Sequence, residues 1–178
     1  MPPVFVLIKP ASSACNMACE YCFYRDVSDH REHSFEGMLT LEYMEKVIAA
    51  AMEFAEGSCT FGFQGGEPTL AGLDFYRQVI RIQQRLCKPG VQIFNSLQTN
   101  GLLLDDEWCA FLKEHRFLVG LSLDGYAKNH NACRPDHKGE GTFSRILEAK
   151  QRMDRHGVDY NVLTVLTNEL ARHPQQVW

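Results

Sequence analysis

Apolar positions along this 178-residue chain follow two rhythms that take turns from one end to the other. Short apolar runs read as strands: Phe5 to Ile8 (within an apolar run from Val4), Cys59 to Gln64, Gln92 to Thr99, Phe117 to Leu123 and Asp159 to Thr167. Between them, apolar residues recur at helical spacing. Thr40 is the expected N-cap of a helix to Ala55, with Leu41, Met44, Val47, Ile48 and Ala51 on one stripe and Gly57 as its stop. Leu73 to Leu86 brings Tyr76, Val79, Ile80 and Gln83 to one face. A helix from Asp105 to His115 opens on Asp105, Asp106 and Glu107, which suit its positive end. Another is capped by Thr142 and closed by Gly157, and His173 to Val177 reads as the start of a last one. Arg25 to Gly37 and the stretch from Gly125 to Gly141 read as polar loops.

Strands and helices that alternate in this way predict an α/β fold with a parallel sheet or barrel. Each unit takes about 35 residues, close to the length of one βαβ repeat. At 45% hydrophobic content the chain suffices for one substantial core, so a single domain over residues 1–178 is expected. It stops at Trp178 with no cap or closing strand in view, and is expected to be part of a longer barrel.

Ligands of parallel α/β folds bind at the carboxyl ends of the strands, where successive loops converge. Applied here, the rule collects Cys15, Cys19 and Cys22; Gln64 with Gly65-Gly66-Glu67-Pro68; Gln98, Thr99 and Asn100; and Ser122 with Asp124. Three thiolates within eight residues can converge on one metal centre. A cubane iron–sulfur cluster normally takes four thiolates, so three leave an iron open to a ligand. The alternative is a structural zinc site completed by His30 or His33, although no second cysteine pair follows.

The two glycines allow close backbone approach to a ligand, or serve an ordinary turn. Glu67 reads as a ligand contact or as a member of a buried network. Arg134 reads as a bidentate carboxylate clamp, worth roughly 1.5–3 kcal/mol, or as a solvated surface group. Cys59, Cys87 and Cys109 read as packing residues, Cys133 as a reactive thiol, and His130 as a residue that orients its loop.

A net charge of −4 with interspersed signs offers no face for nucleic acid, and no apolar run of about 20 residues points to a membrane. An odd count of seven cysteines and no leader at Met1 predict a reducing, cytoplasmic setting.

With these residues assembled, the sequence resembles the radical S-adenosylmethionine superfamily. The signature is Cys-x3-Cys-x2-Cys with Tyr21 before the last cysteine, joined by Gly65-Gly66-Glu67-Pro68. Within that superfamily it is similar to the anaerobic sulfatase-maturating enzymes over essentially its whole length. The likeness runs through Ile8-Lys9-Pro10-Ala11-Ser12-Ser13, Cys22-Phe23-Tyr24, Phe63 to Leu70, Asn95 to Gly101 and Val119 to Gly125.

The resemblance implies a partial (β/α)6 TIM-like barrel with about five βα units present. It implies a 4Fe-4S cluster on Cys15, Cys19 and Cys22, with S-adenosylmethionine on the open iron. Tyr21 would meet the adenine through its backbone; Gly65, Gly66 and Glu67 form the segment that receives the methionine amine; Ser122 and Arg134 would contact the ribose or carboxylate side. Tyr24, Gln98 and Asn100 would face the substrate peptide. The implied reaction starts with reductive cleavage to a 5′-deoxyadenosyl radical and ends with a sulfatase cysteine or serine oxidised to formylglycine. A flavodoxin or ferredoxin would donate the electron. The family's general base and auxiliary clusters lie beyond residue 178. Other readings are a radical enzyme acting on another ribosomal peptide, or a non-catalytic metal-binding module.

Overall fold

The computed structural model describes residues 3–176. Five strands, β1 (Val4–Ile8), β2 (Ser58–Phe63), β3 (Gln92–Thr99), β4 (Leu118–Ser122) and β5 (Tyr160–Leu163), form one sheet. Its order is β1-β2-β3-β4-β5, and every neighbouring pair is parallel. A parallel pair needs a crossover, because the chain must return to the end where the first strand began. Helices α2 (Leu41–Phe54), α3 (Leu73–Leu86), α4 (Asp106–Glu114) and α6 (Phe143–His156) lie in those crossovers, giving the expected α/β partial barrel. Shorter helices α1 (Phe23–Asp29), α5 (Ala127–Cys133) and α7 (Asn168–Ala171) occupy the loops. Among the described residues no helix is long and apolar enough to cross a membrane.

Successive strand residues point to opposite faces. Phe61, Phe63, Leu97, Val119 and Leu121 are buried in the core. The other face carries Phe5, Leu7, Phe94 and Leu118, at 64%, 53%, 46% and 48% exposure, and Phe5, Leu7 and Leu118 line an open trough there. At the centre of the core, the Tyr76 ring lies edge-on to Phe63, Trp108 and Phe117, with centroids 5.0, 5.2 and 6.3 Å away. Its hydroxyl donates to the Pro68 carbonyl at 3.0 Å, so the packed core also fixes the turn after β2.

The long apolar patterns translate directly. The α3 stripe Tyr76, Val79, Ile80 and Gln83 is buried as expected, and Thr40 caps α2 by accepting from the Tyr43 N–H. On α2 the seam is shifted: Met44, Ile48, Ala51 and Met52 are buried, whereas Leu41 at the first turn is exposed.

Four expectations need correction. The stretch from Arg25 to Gly37 begins inside a helix, α1, with no buried residue and hence no stripe to read. Its i,i+4 pairs Arg25–Asp29 and Asp26–His30 support it instead. The loop to Gly141 contains α5, whose buried residues, Asn129 and His130, are polar. Thr142 holds the N-cap position of α6 but does not cap it; its hydroxyl donates to the Arg134 carbonyl at 2.7 Å. Finally, β5 ends at Leu163 rather than Thr167, because the next residues turn toward β4: the Thr164 hydroxyl donates to the Leu123 carbonyl and the Val165 N–H to Asp124. Beyond α7 a 3-10 turn covers Pro174–Gln176, and Val177 lies outside the described residues.

Inside the α3–β3 contact, Gln83 and Asn95 form a reciprocal amide pair at 2.8 and 2.9 Å. Removing one partner leaves a buried amide unsatisfied, whereas removing both does not. Asn95→Ala is expected to lower stability by about 1–3 kcal/mol in urea unfolding, and the double change Gln83→Leu/Asn95→Leu by clearly less than Asn95→Ala.

Candidate active site

The cysteine loop follows β1 and is gripped on two sides by backbone hydrogen bonds. On one side, the Glu67 N–H donates to the Ala14 carbonyl at 2.7 Å. On the other, the Ala18 and Glu20 N–H groups donate to the carbonyls of Pro135 and Cys133 at 2.9 and 3.0 Å, and Met17 bridges Asp136 antiparallel. A ring nitrogen of His137 lies 2.9 Å from the Cys15 carbonyl. The segment 133–137 is therefore a strap across the loop, which no sequence pattern announced. Cys22 then heads α1, its carbonyl accepting from the Arg25 and Asp26 N–H groups.

Gly66 sits where the loop crosses the turn after β2. Its φ is +56°, and a Cβ there would lie 2.2 Å from the Ala14 carbonyl oxygen, a backbone atom that cannot step aside. At Gly65 the obstacle is the flexible Lys9 side chain, with φ at +98°. The pair is thus shaped by the approach of the cysteine loop itself.

Glu67 belongs to a buried network. One carboxylate oxygen accepts from the Thr69 N–H and hydroxyl and from the Thr99 hydroxyl, at 3.0, 2.7 and 2.7 Å; the other accepts from the Asn100 N–H at 2.8 Å. Burial pushes its pKa up, and these donors pull it back. The carboxylate joins the ends of β2 and β3.

A second carboxylate, Asp124 after β4, is fully buried. It accepts from Arg134 Nε and Nη2 at 2.9 and 3.3 Å, from the Val165 N–H at 3.0 Å and from the Tyr21 hydroxyl. Arg134 is therefore neither a free clamp nor a solvated surface group: one edge of its guanidinium holds Asp124, and its plane lies 5.3 Å from the Tyr21 ring. Among the described residues no buried side-chain nitrogen or oxygen lacks a partner. Among those residues Nη1 of Arg134 makes no hydrogen bond, and Arg134 lines a cavity.

His130 orients this wall. The Asp124 N–H can only donate, so Nδ1, at 3.1 Å, is the acceptor and the proton sits on Nε2. That proton points to the Thr142 hydroxyl at 3.1 Å, which donates onward to the Arg134 carbonyl. Burial first, then the Arg134 charge, pushes the His130 pKa down to about 4, against the pull of Asp124.

These walls enclose a cavity of about 520 Å³. It is lined by Cys15, Cys19, Cys22, Tyr21, Tyr24, Gly65, Gly66, Glu67, Gln98, Asn100, Ser122 and Arg134, so the structure brings the whole set of expected site residues to one place. Phe23, Gln64 and Thr99 line it too, as do Met17, Leu163, Thr164 and Val165, which had no motif to mark them. Tyr24 accepts from Gln64 Nε2 at 3.1 Å, and Gln98 Nε2 donates to the Ser122 hydroxyl at 3.1 Å.

The three thiols line one cavity. A cubane takes its thiolates on separate irons, whereas a structural zinc gathers four ligands on one ion. His30 turns to the Asp26 carbonyl, 2.7 Å away. Burial raises the Cys19 pKa and pushes that of Cys15 up to about 11, so it takes a bound cation to hold these sulfurs as thiolates at neutral pH. Burial also raises the pKa of Cys133, which argues against a reactive thiol there.

Fold and site together define a parallel α/β barrel segment with a thiol-bearing ligand cavity at the carboxyl edge of its sheet. The chain belongs to the radical SAM superfamily, whose family model matches residues 10–176. It is 45% identical over its full length to a cysteine-type anaerobic sulfatase-maturating enzyme of Clostridium perfringens, covering 48% of that protein. It is 39% identical, over 99% of its length, to a serine-type anaerobic sulfatase-maturating enzyme of Klebsiella aerogenes, covering 43% of it. The solved structure of native anSMEcpe with bound AdoMet and Cp18Cys peptide superposes on 99% of the chain with a TM-score of 0.92 at 44% identity, the chain covering 46% of it. The chain thus spans about half the length of the curated relatives it matches.

Two outcomes follow from this geometry. Gly66→Ala is expected to displace the cysteine loop and abolish iron incorporation on anaerobic reconstitution, measured as iron bound per chain, while Gly65→Ala retains part of it. His130 has a folded pKa below its ordinary value, so between about pH 6.5 and 4 the unfolded chain binds a proton that the folded chain refuses. Stability is therefore full above that window and falls as pH drops through it, by about 3 kcal/mol. Urea unfolding at a series of pH values checks this, and His130→Gln should lose that part of the slope.

Proposed function

We propose that this chain carries the cofactor-binding half of an oxidoreductase that converts a cysteine or serine of a sulfatase to formylglycine. The observation that carries the reading is the convergence of Cys15, Cys19 and Cys22, the Gly65-Gly66 turn and Arg134, whose Nη1 bonds to none of the described residues, on one cavity. The sulfatase-maturating relatives over the whole chain support the substrate class.

Cys15, Cys19 and Cys22 would hold a 4Fe-4S cluster. The cluster with S-adenosylmethionine supplies, when bound, the one-electron chemistry that removes a hydrogen from the target side chain. The backbone at Gly65 and Gly66 receives the cofactor's amine, and Glu67 supports that turn by tying it to β3. Arg134 offers Nη1 to the carboxylate while Asp124 keeps its other edge fixed. Ser122 and Tyr21 flank the nucleoside end. On the substrate side, Tyr24 and Gln98 are held in place by Gln64 and Ser122 and face the peptide. A reducing cytoplasm and a flavodoxin- or ferredoxin-type donor suit the low potentials within the roughly −700 to +450 mV span of such clusters.

Electron paramagnetic resonance of the reconstituted, reduced chain is the test. A cubane signal that shifts when S-adenosylmethionine is added is the expected result, together with 5′-deoxyadenosine in the mixture. In the parent protein, sulfatase peptides carrying cysteine or serine at the target position should acquire the mass of formylglycine. A cluster indifferent to the cofactor, or peptides recovered unchanged, would overturn the reading.

A further inference from the structure

We propose that Asn100 serves the metal centre rather than the substrate: its side-chain amide is a hydrogen-bond donor that positions and tunes the sulfur of Cys15. The inference rests on the reading of Cys15 as a cluster ligand.

Asn100 is buried at the end of β3 and held from several directions. Its backbone N–H donates to Glu67 Oε2 at 2.8 Å. Its Oδ1 accepts from the Leu102 N–H at 3.0 Å. A backbone N–H cannot accept, so this contact fixes which way the amide is turned. Nδ2 must then face the cysteine loop, where it lies 2.7 Å from Asn16 Oδ1 and 3.9 Å from Cys15 Sγ. Contacts to sulfur are longer than those to oxygen because the acceptor atom is larger. The Met17 N–H reaches the same sulfur at 3.4 Å.

The two protons of the Asn100 amide are thus directed at Asn16 and Cys15, and neither is left for a peptide. N–H donors stabilise negative charge on a ligating sulfur, and that charge grows when a cluster is reduced. They therefore hold the potential up, and hydrogen bonds to the sulfurs are among the levers that set it. The arrangement also gives Glu67 a second consequence. By fixing the Asn100 backbone, it connects the turn after β2 to the thiolate across the cavity.

A redox titration of the anaerobically reconstituted chain, followed by electron paramagnetic resonance, tests this. Asn100→Leu should lower the midpoint potential. At the potential that half-reduces the unaltered cluster, the ratio of reduced to oxidised cluster should fall by about threefold or more, tenfold corresponding to 59 mV for one electron. Should Asn100→Leu fail to hold a cluster, pulsed resonance on an Asn16→Ala chain with nitrogen labelled only in asparagine side-chain amides reads the contact directly. Coupling between the reduced cluster and the remaining nearby amide is expected. An unchanged potential in Asn100→Leu, or no such coupling, overturns the inference. Failure of the unaltered chain to take up a cluster would instead overturn the reading on which it rests.

Discussion

A carboxylate with no access to water must find its charge partners inside the protein, and Asp124 does so by drawing three separate segments to the end of β4. Leaving such a group unpaired costs several kcal/mol, so each donor is held as firmly as the fold is. Tyr21 brings the cysteine loop, Arg134 brings the segment after α5, and Val165 brings the chain that has just left β5. All three donor residues line the cavity. The shape of the ligand site is thus a consequence of satisfying one buried charge, with His130 fixing the backbone from behind.

Glu67 does the corresponding work on the opposite side, with neutral donors in place of an arginine. It is surrounded by N–H and hydroxyl groups of β3 and its own turn, and its backbone N–H holds Ala14 at the start of the cysteine loop. The loop therefore lies between two carboxylate hubs and under the 133–137 strap. Three cysteines spaced by three and two residues would be a floppy ligand set in isolation. Here backbone hydrogen bonds to the 133–137 strap fix the segment between them, which lowers the ordering cost of binding.

What could be read in the sequence follows from how each residue is used. The α2 and α3 crossovers and the strands pack through apolar residues, and a repeated apolar pattern is local information. The α1 and α5 helices bury nothing apolar, so their positions carried no such signal. Polar residues at strand ends marked the cavity correctly as a set, because they stand where an apolar residue would otherwise continue the strand. Their individual tasks were less legible. Thr99 and Asp124 looked free for a ligand, yet both are occupied by partners in the fold, and Tyr21 lies 103 positions from Asp124 in the chain. Pairings at that separation depend on the assembled sheet, and no local window contains them.

The trough on the open face of the sheet and the ligand cavity meet at shared residues, Gln64, Gln98 and Leu163. Glycine at 120 makes the junction possible: a Cβ there would lie 2.1 Å from Gln98 Oε1, so the amide lies flat across β4 and reaches Ser122. Glycine at 62 gives Phe5 the same freedom, its ring tip 2.9 Å from where a Cβ would stand. Small residues in the middle strands thus let larger ones from their neighbours lie over the sheet and form its inner surface. At the end shared with the cavity, Gln64 and Gln98 are held by hydrogen bonds to Tyr24 and Ser122, while Phe5, Leu7 and Leu118 give the trough an apolar floor into which Ser96 and Asn161 also reach.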